Sequence, residues 1–332
     1  ASLSVMISLG HRITLFDKMA ELGSATYEEI AEKGGFNSRY VKEWLAAMVT
    51  GRIVDYDKER KTYTLPAEHA AFLTSAAGPD NFATLFQFIP VISSVEDELI
   101  KCFKNGGGVP YEKFHRFHEV MAEESGQNYK NNMITKVLPL IEDVVEKLEK
   151  GIQVLDIGCG SGTATNTLAK VFPNSTFIGI DLCEPPIRKA KKDAKMLGLT
   201  NVSFEQHDAA KVDFKTGFEL ITTFDAIHDQ AHPDVVLKNI HKHLTDEGTY
   251  LMVDIDASTK LEDNMEHPLA PALYSMSTAH CMTVSLAQGG KGLGTMWGRQ
   301  QATKMLKDAG FSSTIIKNIE KDIMNAYYIS KK

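Results

Sequence analysis

Residues 154–157 form a short apolar run broken only by the carboxylate of Asp156, and the chain then presents three glycines at alternate positions, Gly158, Gly160 and Gly162. A strand that runs into spaced glycines and then into a helix leaves few folds open. Glycine tolerates positive φ and, lacking Cβ, lets backbone N–H groups approach a ligand at a helix start. The spacing is not that of the dinucleotide fingerprint Gly-x-Gly-x-x-Gly, whose third glycine would fall on Thr163. A pyrophosphate cradle of the NAD type is therefore disfavoured.

Further strands follow at regular intervals. Residues 176–180 end on Asp181, nineteen positions after Gly162, where a carboxylate can accept from ribose hydroxyls. Residues 202–206 run into His207 and Asp208, whose side chain is placed to accept from an adenine amino group. A fourth strand, 218–223, ends at Phe224-Asp225-Ala226-Ile227-His228, the last of four polar strand ends, and a fifth strand spans 249–253. Successive polar strand ends on one rim mark the edge where open α/β sheets bind ligands.

Asp156-x-Gly158-x-Gly160-x-Gly162, Asp181, Asp208 and Phe224-Asp225, in that order at those strand ends, resemble the motif series of class I S-adenosylmethionine-dependent methyltransferases. The resemblance implies an α/β fold, a Rossmann-like sheet of seven strands with the last antiparallel; residues 313–319 and 326–329 are the expected final pair. It implies S-adenosyl-L-methionine as cofactor and S-adenosyl-L-homocysteine as product. Carried onto this sequence, the cofactor contacts are Asp156, Gly158, Gly160, Gly162, Asp181, Leu182, Asp208, Ala209 and Phe224.

The first 75 residues have another texture. Residues 13–20 show helical apolar spacing, Thr26 is a candidate cap for a second helix, and Asn37-Ser38 for a third that Gly51 stops. Residues 53–56 and 62–65, around a charged tip, read as a hairpin. Three helices and a two-stranded wing resemble a winged-helix domain. Yet residues 1–75 carry nine Lys or Arg against ten Asp or Glu, and the third helix offers only Arg39 and Lys42 beside Glu43. A reader of DNA grooves is clearly basic, so DNA is not the expected partner. Many small-molecule methyltransferases carry this domain for dimerisation and to wall the substrate site. The expected organisation is a winged-helix domain over 1–75, a helical linker over 76–135, and a methyltransferase domain over 136–332 with a cap inserted at 257–298.

Candidate substrate contacts lie in the linker and the cap. After the break at Gly106-Gly107-Gly108, the residues Phe114, Phe117 and Met121 recur at helical spacing, either as inter-domain core or facing a substrate cavity. Asn128-Tyr129 falls where linker helices of such enzymes approach the methionine end of the cofactor, which makes Tyr129 a candidate contact. The Met-rich segment after the fifth strand supplies Tyr274, Met276 and His280.

His228 follows the fourth strand, where class I methyltransferases often place the residue that positions or deprotonates the acceptor. An imidazole titrates near neutrality and suits either task; its alternative is a hydrogen bond to cofactor or backbone. Asp229 and His232 are placed to orient the ring, and His232 is the second catalytic candidate. The pair His228-x-x-x-His232 echoes the zinc helix motif His-Glu-x-x-His, but Asp replaces Glu, Pro233 follows at once and the segment is a loop. No metal is expected.

Bulk properties agree with a soluble enzyme. The chain is 43% hydrophobic, its four cysteines are scattered as in a reduced cytoplasmic protein, and a net charge of −7 argues against a polyanion as main partner. No apolar run reaches the roughly 20 residues of a membrane helix. The expected activity is methyl transfer to an oxygen or nitrogen of a small, partly apolar metabolite by a homodimer. The reading from another class is a transcription regulator that keeps a methyltransferase-like domain as ligand sensor.

Overall fold

The computed structural model of the chain describes residues 2–332, apart from the side chains of residues 127, 128, 130 and 131. It divides into two compact units, one reaching to Ser94 and including Glu119–Gln127, the other formed by Val95–His118 and Asn128–Lys332.

The N-terminal unit begins with α1 (Ser2–Arg12), α2 (Leu15–Leu22), α3 (Tyr27–Gly34) and α4 (Ser38–Thr50), then the hairpin β1 (Asp55–Asp57) and β2 (Thr62–Thr64). Thr26 caps α3 in a reciprocal box: its hydroxyl accepts from the Glu29 N–H at 3.3 Å, and the Glu29 carboxylate accepts from the Thr26 N–H at 2.7 Å. Asn37 accepts from the Arg39 N–H at 3.0 Å to start α4. Leu15, Phe16, Met19, Ile30, Leu45 and Met48 form the core. Helix α1 has no counterpart in the sequence reading. The residues it buries include Ser8, Gly10 and His11 while Leu3, Val5 and Leu9 stay exposed, so its apolar pattern does not mark the buried face.

The C-terminal unit is built on seven strands: β3 (Gln153–Ile157), β4 (Thr176–Asp181), β5 (Val202–Gln206), β6 (Phe218–Phe224), β7 (Leu244–Ile255), β8 (Ser313–Lys317) and β9 (Asn325–Lys331). Their order is β5-β4-β3-β6-β7-β9-β8, and β9 alone runs antiparallel to its neighbours. Both faces are covered, so the strands read as continuous apolar runs instead of alternating ones. Leu155, Ile157, Ile221, Tyr250 and Met252 pack on one face, and Val154, Leu220, Leu251 and Val253 on the other.

Chain order reverses between β3 and β6, which pair directly with Asp156 opposite Thr222. That reversal opens a crevice at the carboxyl ends of the two strands. The glycine turn after β3, Asp181 at the end of β4 and His228 after β6 all lie on this rim. Beyond β7 the chain forms a helix over Ala270–Met276, a π-helical turn over Ser277–Cys281 and a helix over Met282–Ala287, before the long helix Gly298–Ala309 returns to the sheet.

Candidate cofactor and acceptor site

Gly158, Gly160 and Gly162 all adopt left-handed φ, at 71°, 52° and 68°. A Cβ at Gly158 would lie 2.5 Å from the Ala226 side chain, and one at Gly162 would lie 2.6 Å from Phe204. At Gly160 it would meet nothing within 4 Å. The turn is thus packed against protein at both ends and open at its middle.

The Gly160 N–H donates to Asp181 Oδ2 at 2.9 Å, and the Cys183 N–H donates to Asp181 Oδ1 at 2.8 Å. Burial pushes the Asp181 pKa up, against these two donors and the nearby His118, which favour the carboxylate. Each oxygen retains a second lone pair for an incoming hydroxyl. An open-faced glycine turn beside a carboxylate with spare lone pairs fits the ribose of the nucleoside cofactor implied by the sequence.

Asp156 has a different part. Its Oδ2 accepts from the Thr165 hydroxyl at 2.5 Å and its Oδ1 from the Thr222 hydroxyl at 3.0 Å. Burial raises its pKa to about 6 even though both hydroxyls favour the charged form. With both oxygens engaged, the carboxylate ties the helix Thr163–Val171 to β6 and holds the turn from beneath.

The remaining cofactor candidates sit at neighbouring strand ends. Asp208 Oδ1 accepts from the Ala210 N–H at 2.9 Å, and its Oδ2 pairs with Lys211 at 2.9 Å. Ala209 is buried, with its carbonyl accepting from Asn239 at 3.0 Å. Leu182 exposes its side chain while its carbonyl accepts from Gln206 at 2.9 Å. Tyr129 and Phe224 meet, with ring centroids 4.7 Å apart; the side chain of Asn128 lies outside the described residues.

After β6 the chain turns through Asp225 at φ 49°, sending Ile227 into the core and leaving His228 buried at 3% exposure. His228 Nδ1 lies 2.8 Å from Asp254 Oδ1 at the end of β7, and this fully buried carboxylate also accepts from Trp297 Nε1 at 3.0 Å. The other ring nitrogen, Nε2, lies 3.3 Å from Asp229 Oδ1, while Asp229 Oδ2 accepts from the Tyr111 hydroxyl at 3.2 Å. Burial opposes a charge on the ring, but the two carboxylates outweigh it and hold the imidazole pKa well above its usual value.

His232 does not take part in this arrangement. It is exposed at the start of the helix Pro233–His243, and among the described residues no hydrogen bond or ion pair joins it to His228. Burial opposes ionisation of the nearby Asp208, but Lys211 and the Ala210 N–H hold its pKa below the usual carboxylate value, with His232 a lesser contributor. The carboxylate that holds the His228 ring through Nδ1 is that of Asp254, on the next strand of the sheet.

Beside Asp229 stands a buried histidine in an aromatic box. His280 stacks on Phe117 with centroids 3.5 Å apart and takes the edges of Phe114 and Tyr111 at 4.7 and 5.5 Å. It has no exposed surface, and neither ring nitrogen has a hydrogen-bond partner. Burial drives its pKa down to about 4, although Asp229 pulls the other way. The ring is therefore neutral at physiological pH. A π-helical turn places His280 and Cys281 inward, a device that recurs at functional sites.

Of the substrate candidates, Phe114, Phe117 and His280 come together. Tyr274 does not join them; its hydroxyl accepts from Asn264 at 3.0 Å and its ring packs in a separate cluster with Leu273 and Met296. Met276 is half-buried outside the box, and Met121 belongs to the other compact unit. Asp254, Trp297, Tyr111, His118 and Cys281 were not singled out as site residues from sequence. Only Asp254 carried a usable signal, as the polar end of an apolar strand.

Two family models match the chain: a Rv2258c-like winged HTH domain over residues 1–75 and a methyltransferase domain over residues 148–310. The ribosomal RNA small subunit methyltransferase G of Flavobacterium johnsoniae is 30% identical over 197 residues, 54% of this chain and 89% of that protein. The chain spans about half the length, or less, of the first curated relatives it matches. A putative O-methyltransferase from Nostoc punctiforme superposes with a TM-score of 0.74 at 18% identity, over 100% of this chain and 95% of that one. Human N-acetylserotonin methyltransferase in complex with S-adenosylmethionine superposes with a TM-score of 0.69 at 17% identity, over 99% of this chain and 94% of that one.

Proposed function

The chain belongs to the class I S-adenosylmethionine-dependent methyltransferases and carries an N-terminal winged-helix domain, and from that premise we propose that it methylates an oxygen or nitrogen atom of a small, partly apolar metabolite. The observation that carries this reading is the Gly160–Asp181 contact at the open middle of the glycine turn. When bound, S-adenosylmethionine supplies a sulfonium methyl that a nucleophile displaces in line.

The protein's own contribution is alignment and exclusion of water. Asp181 takes the ribose hydroxyls, the Gly160 region admits the cofactor's close approach, and Asp208 takes the adenine amino group. Tyr129 and Phe224 bound the other end. His228, held by Asp254, presents Nε2 at the acceptor end and fixes the acceptor atom, while Phe114, Phe117 and His280 form the apolar wall. The reading uses the ring's fixed orientation, not a neutral ring in the resting protein.

The net charge of −7 favours a small acceptor over RNA, the substrate class in the name of the Flavobacterium relative. In this reading residues 1–75 serve dimerisation. Among the described residues no helix is long and apolar enough to cross a membrane. The test is mass spectrometry of a metabolite extract incubated with the protein and isotopically labelled methyl donor. A labelled small product supports the reading; no labelled product, with salt-dependent binding of duplex DNA, replaces it with the regulator.

A further inference from the structure

The Asp229 carboxylate is short of hydrogen-bond donors. Its Oδ2 accepts from the Tyr111 hydroxyl at 3.2 Å, while Oδ1 is buried and accepts no hydrogen bond, although His228 Nε2 lies 3.3 Å away. Buried carboxylate oxygens are normally satisfied. The His228 ring has no lone pair to offer as a base while it is protonated, and burial, which opposes that charge, is outweighed by the carboxylates of Asp254 and Asp229 on either side. The other neighbours are no better placed to take a proton. Burial pushes the Cys281 thiol up to about 11, so its sulfur, within 4.8 Å of the nearest His228 and Asp229 atoms, already carries a hydrogen. The side chains of Asp254 and His280 have no exposed surface, whereas that of Asp229 keeps 13%.

We propose that Asp229, not His228, takes the proton from the acceptor, and that the acceptor atom is the oxygen of a neutral hydroxyl group. The inference rests on the methyl-transfer reading and narrows it. The acceptor's O–H donates to Asp229 Oδ1 and supplies the hydrogen bond that this oxygen lacks, while His228 donates through Nε2 to the same acceptor oxygen. Asp254 and Trp297 hold the ring from behind, and Tyr111 holds the second oxygen of Asp229.

Counting lone pairs decides the acceptor class. A hydroxyl oxygen carries one hydrogen and two lone pairs. The hydrogen meets Asp229, one lone pair accepts from Nε2–H, and the other is left to attack the methyl carbon. A neutral amine has a single lone pair, and a hydrogen bond from Nε2–H would occupy it. A carboxylate has no hydrogen to give to Asp229. It is also repelled, because two carboxylates around one imidazolium leave this interior negative.

The step balances without a further reactant. As the free lone pair forms the new O–C bond, the bond from the methyl carbon to sulfur breaks and leaves its electron pair on sulfur. The O–H bond breaks, its electron pair stays on the acceptor oxygen, and its proton passes to Asp229 Oδ1 and from there to solvent. His228 keeps its proton throughout.

The experiment incubates the full chain with labelled methyl donor and metabolite extract, then reads single-turnover rates with the acceptor so isolated for the wild type, Asp229→Asn and Asp229→Ala. Both variants should lose ~10²–10⁴-fold in rate with cofactor affinity, read by calorimetry, nearly unchanged. Sodium formate should restore much of the rate in Asp229→Ala and none in Asp229→Asn, where the amide fills the space. A base at His228 predicts the opposite sign, because removing one of the two carboxylates that keep the ring charged frees Nε2 and preserves or raises the rate of Asp229→Asn. Such a rate, or the failure of formate to rescue a folded Asp229→Ala, overturns the proposal. The wild-type product gives a readout that needs no variant: a methyl ether survives mild alkali, whereas a methyl ester is cleaved, and an ester or a methylated amine overturns the hydroxyl assignment. Cofactor binding without any labelled product from the wild type removes the methyl-transfer reading and this inference with it, whereas labelled product formed at an undiminished rate by Asp229→Asn removes the role of Asp229 alone.

Discussion

The Gly160 N–H lies 2.9 Å from Asp181 Oδ2, so the carboxylate that ends β4 holds the turn that follows β3. One side chain therefore shapes the glycine turn and retains lone pairs for a ligand. Asp181→Ala removes both functions. Cofactor affinity should fall at least ~10-fold, since each charge-assisted hydrogen bond to a desolvated ribose hydroxyl contributes ~1.5–3 kcal/mol. Isothermal calorimetry of a folded variant with unchanged affinity would take Asp181 out of the site.

Gly160→Val should be more damaging. The residue sits at φ 52°, and its Cβ would project into the open middle of the turn. Left-handed backbone costs a branched residue ~1–2 kcal/mol or more, so melting temperature should fall together with cofactor affinity. Gly160→Ala separates the terms. If affinity recovers in Ala while the melting temperature stays low, bulk blocks the cofactor; equal losses of affinity in both variants would assign the effect to backbone strain.

In the proposed function the His228 ring faces the acceptor, so His228→Ala should lower the methyl-transfer rate by ~10²–10⁴ and leave cofactor affinity nearly intact. Single-turnover rates and calorimetric titrations on the same preparation read the two quantities separately. Equal loss of both, or of neither, rules out an acceptor role.

Asp156 makes stability depend on pH in a stated direction. Its pKa is about 6 in the folded chain against an ordinary 3.8, so folding favours the protonated acid. The stabilisation this gives is fully present below pH 3.8 and is lost as pH rises through about 6. Urea unfolding of wild type and Asp156→Asn should show their difference changing by ~1.4 kcal/mol per pH unit across that window, with the wild type losing ground as pH rises, and levelling off above it. Parallel profiles from acid to neutral pH would refute the assignment.

The sheet was legible because its strands are buried on both faces and their ends carry the acids of a recognisable series. The rim followed from that, as did the capped helices α3 and α4, whose Thr26 and Asn37 act locally. Helix α1 was not legible, since it buries Gly10 and His11 in place of a clean apolar stripe. The surroundings of His228 were half legible. His228 announced itself by following β6, but its partners Asp254 and Cys281 lie 26 and 53 positions away in sequence. Spacing along the chain favoured His232, four residues on. The adjacency of β6 and β7 brought Asp254 instead, and a π-helical turn brought Cys281.

The place of β9 has a consequence for how the protein is made. Residues 325–331 form the strand between β7 and β8, and β8 has no other neighbour in the sheet. During translation β7 therefore stays an open edge while more than sixty residues downstream of it are synthesised, and β8 emerges with nothing to pair with. The nascent sheet is most exposed to wrong pairing just before its last strand leaves the ribosome. A pause in synthesis over residues 318–324 would lengthen that interval, and a chaperone that shields the β7 edge would act there.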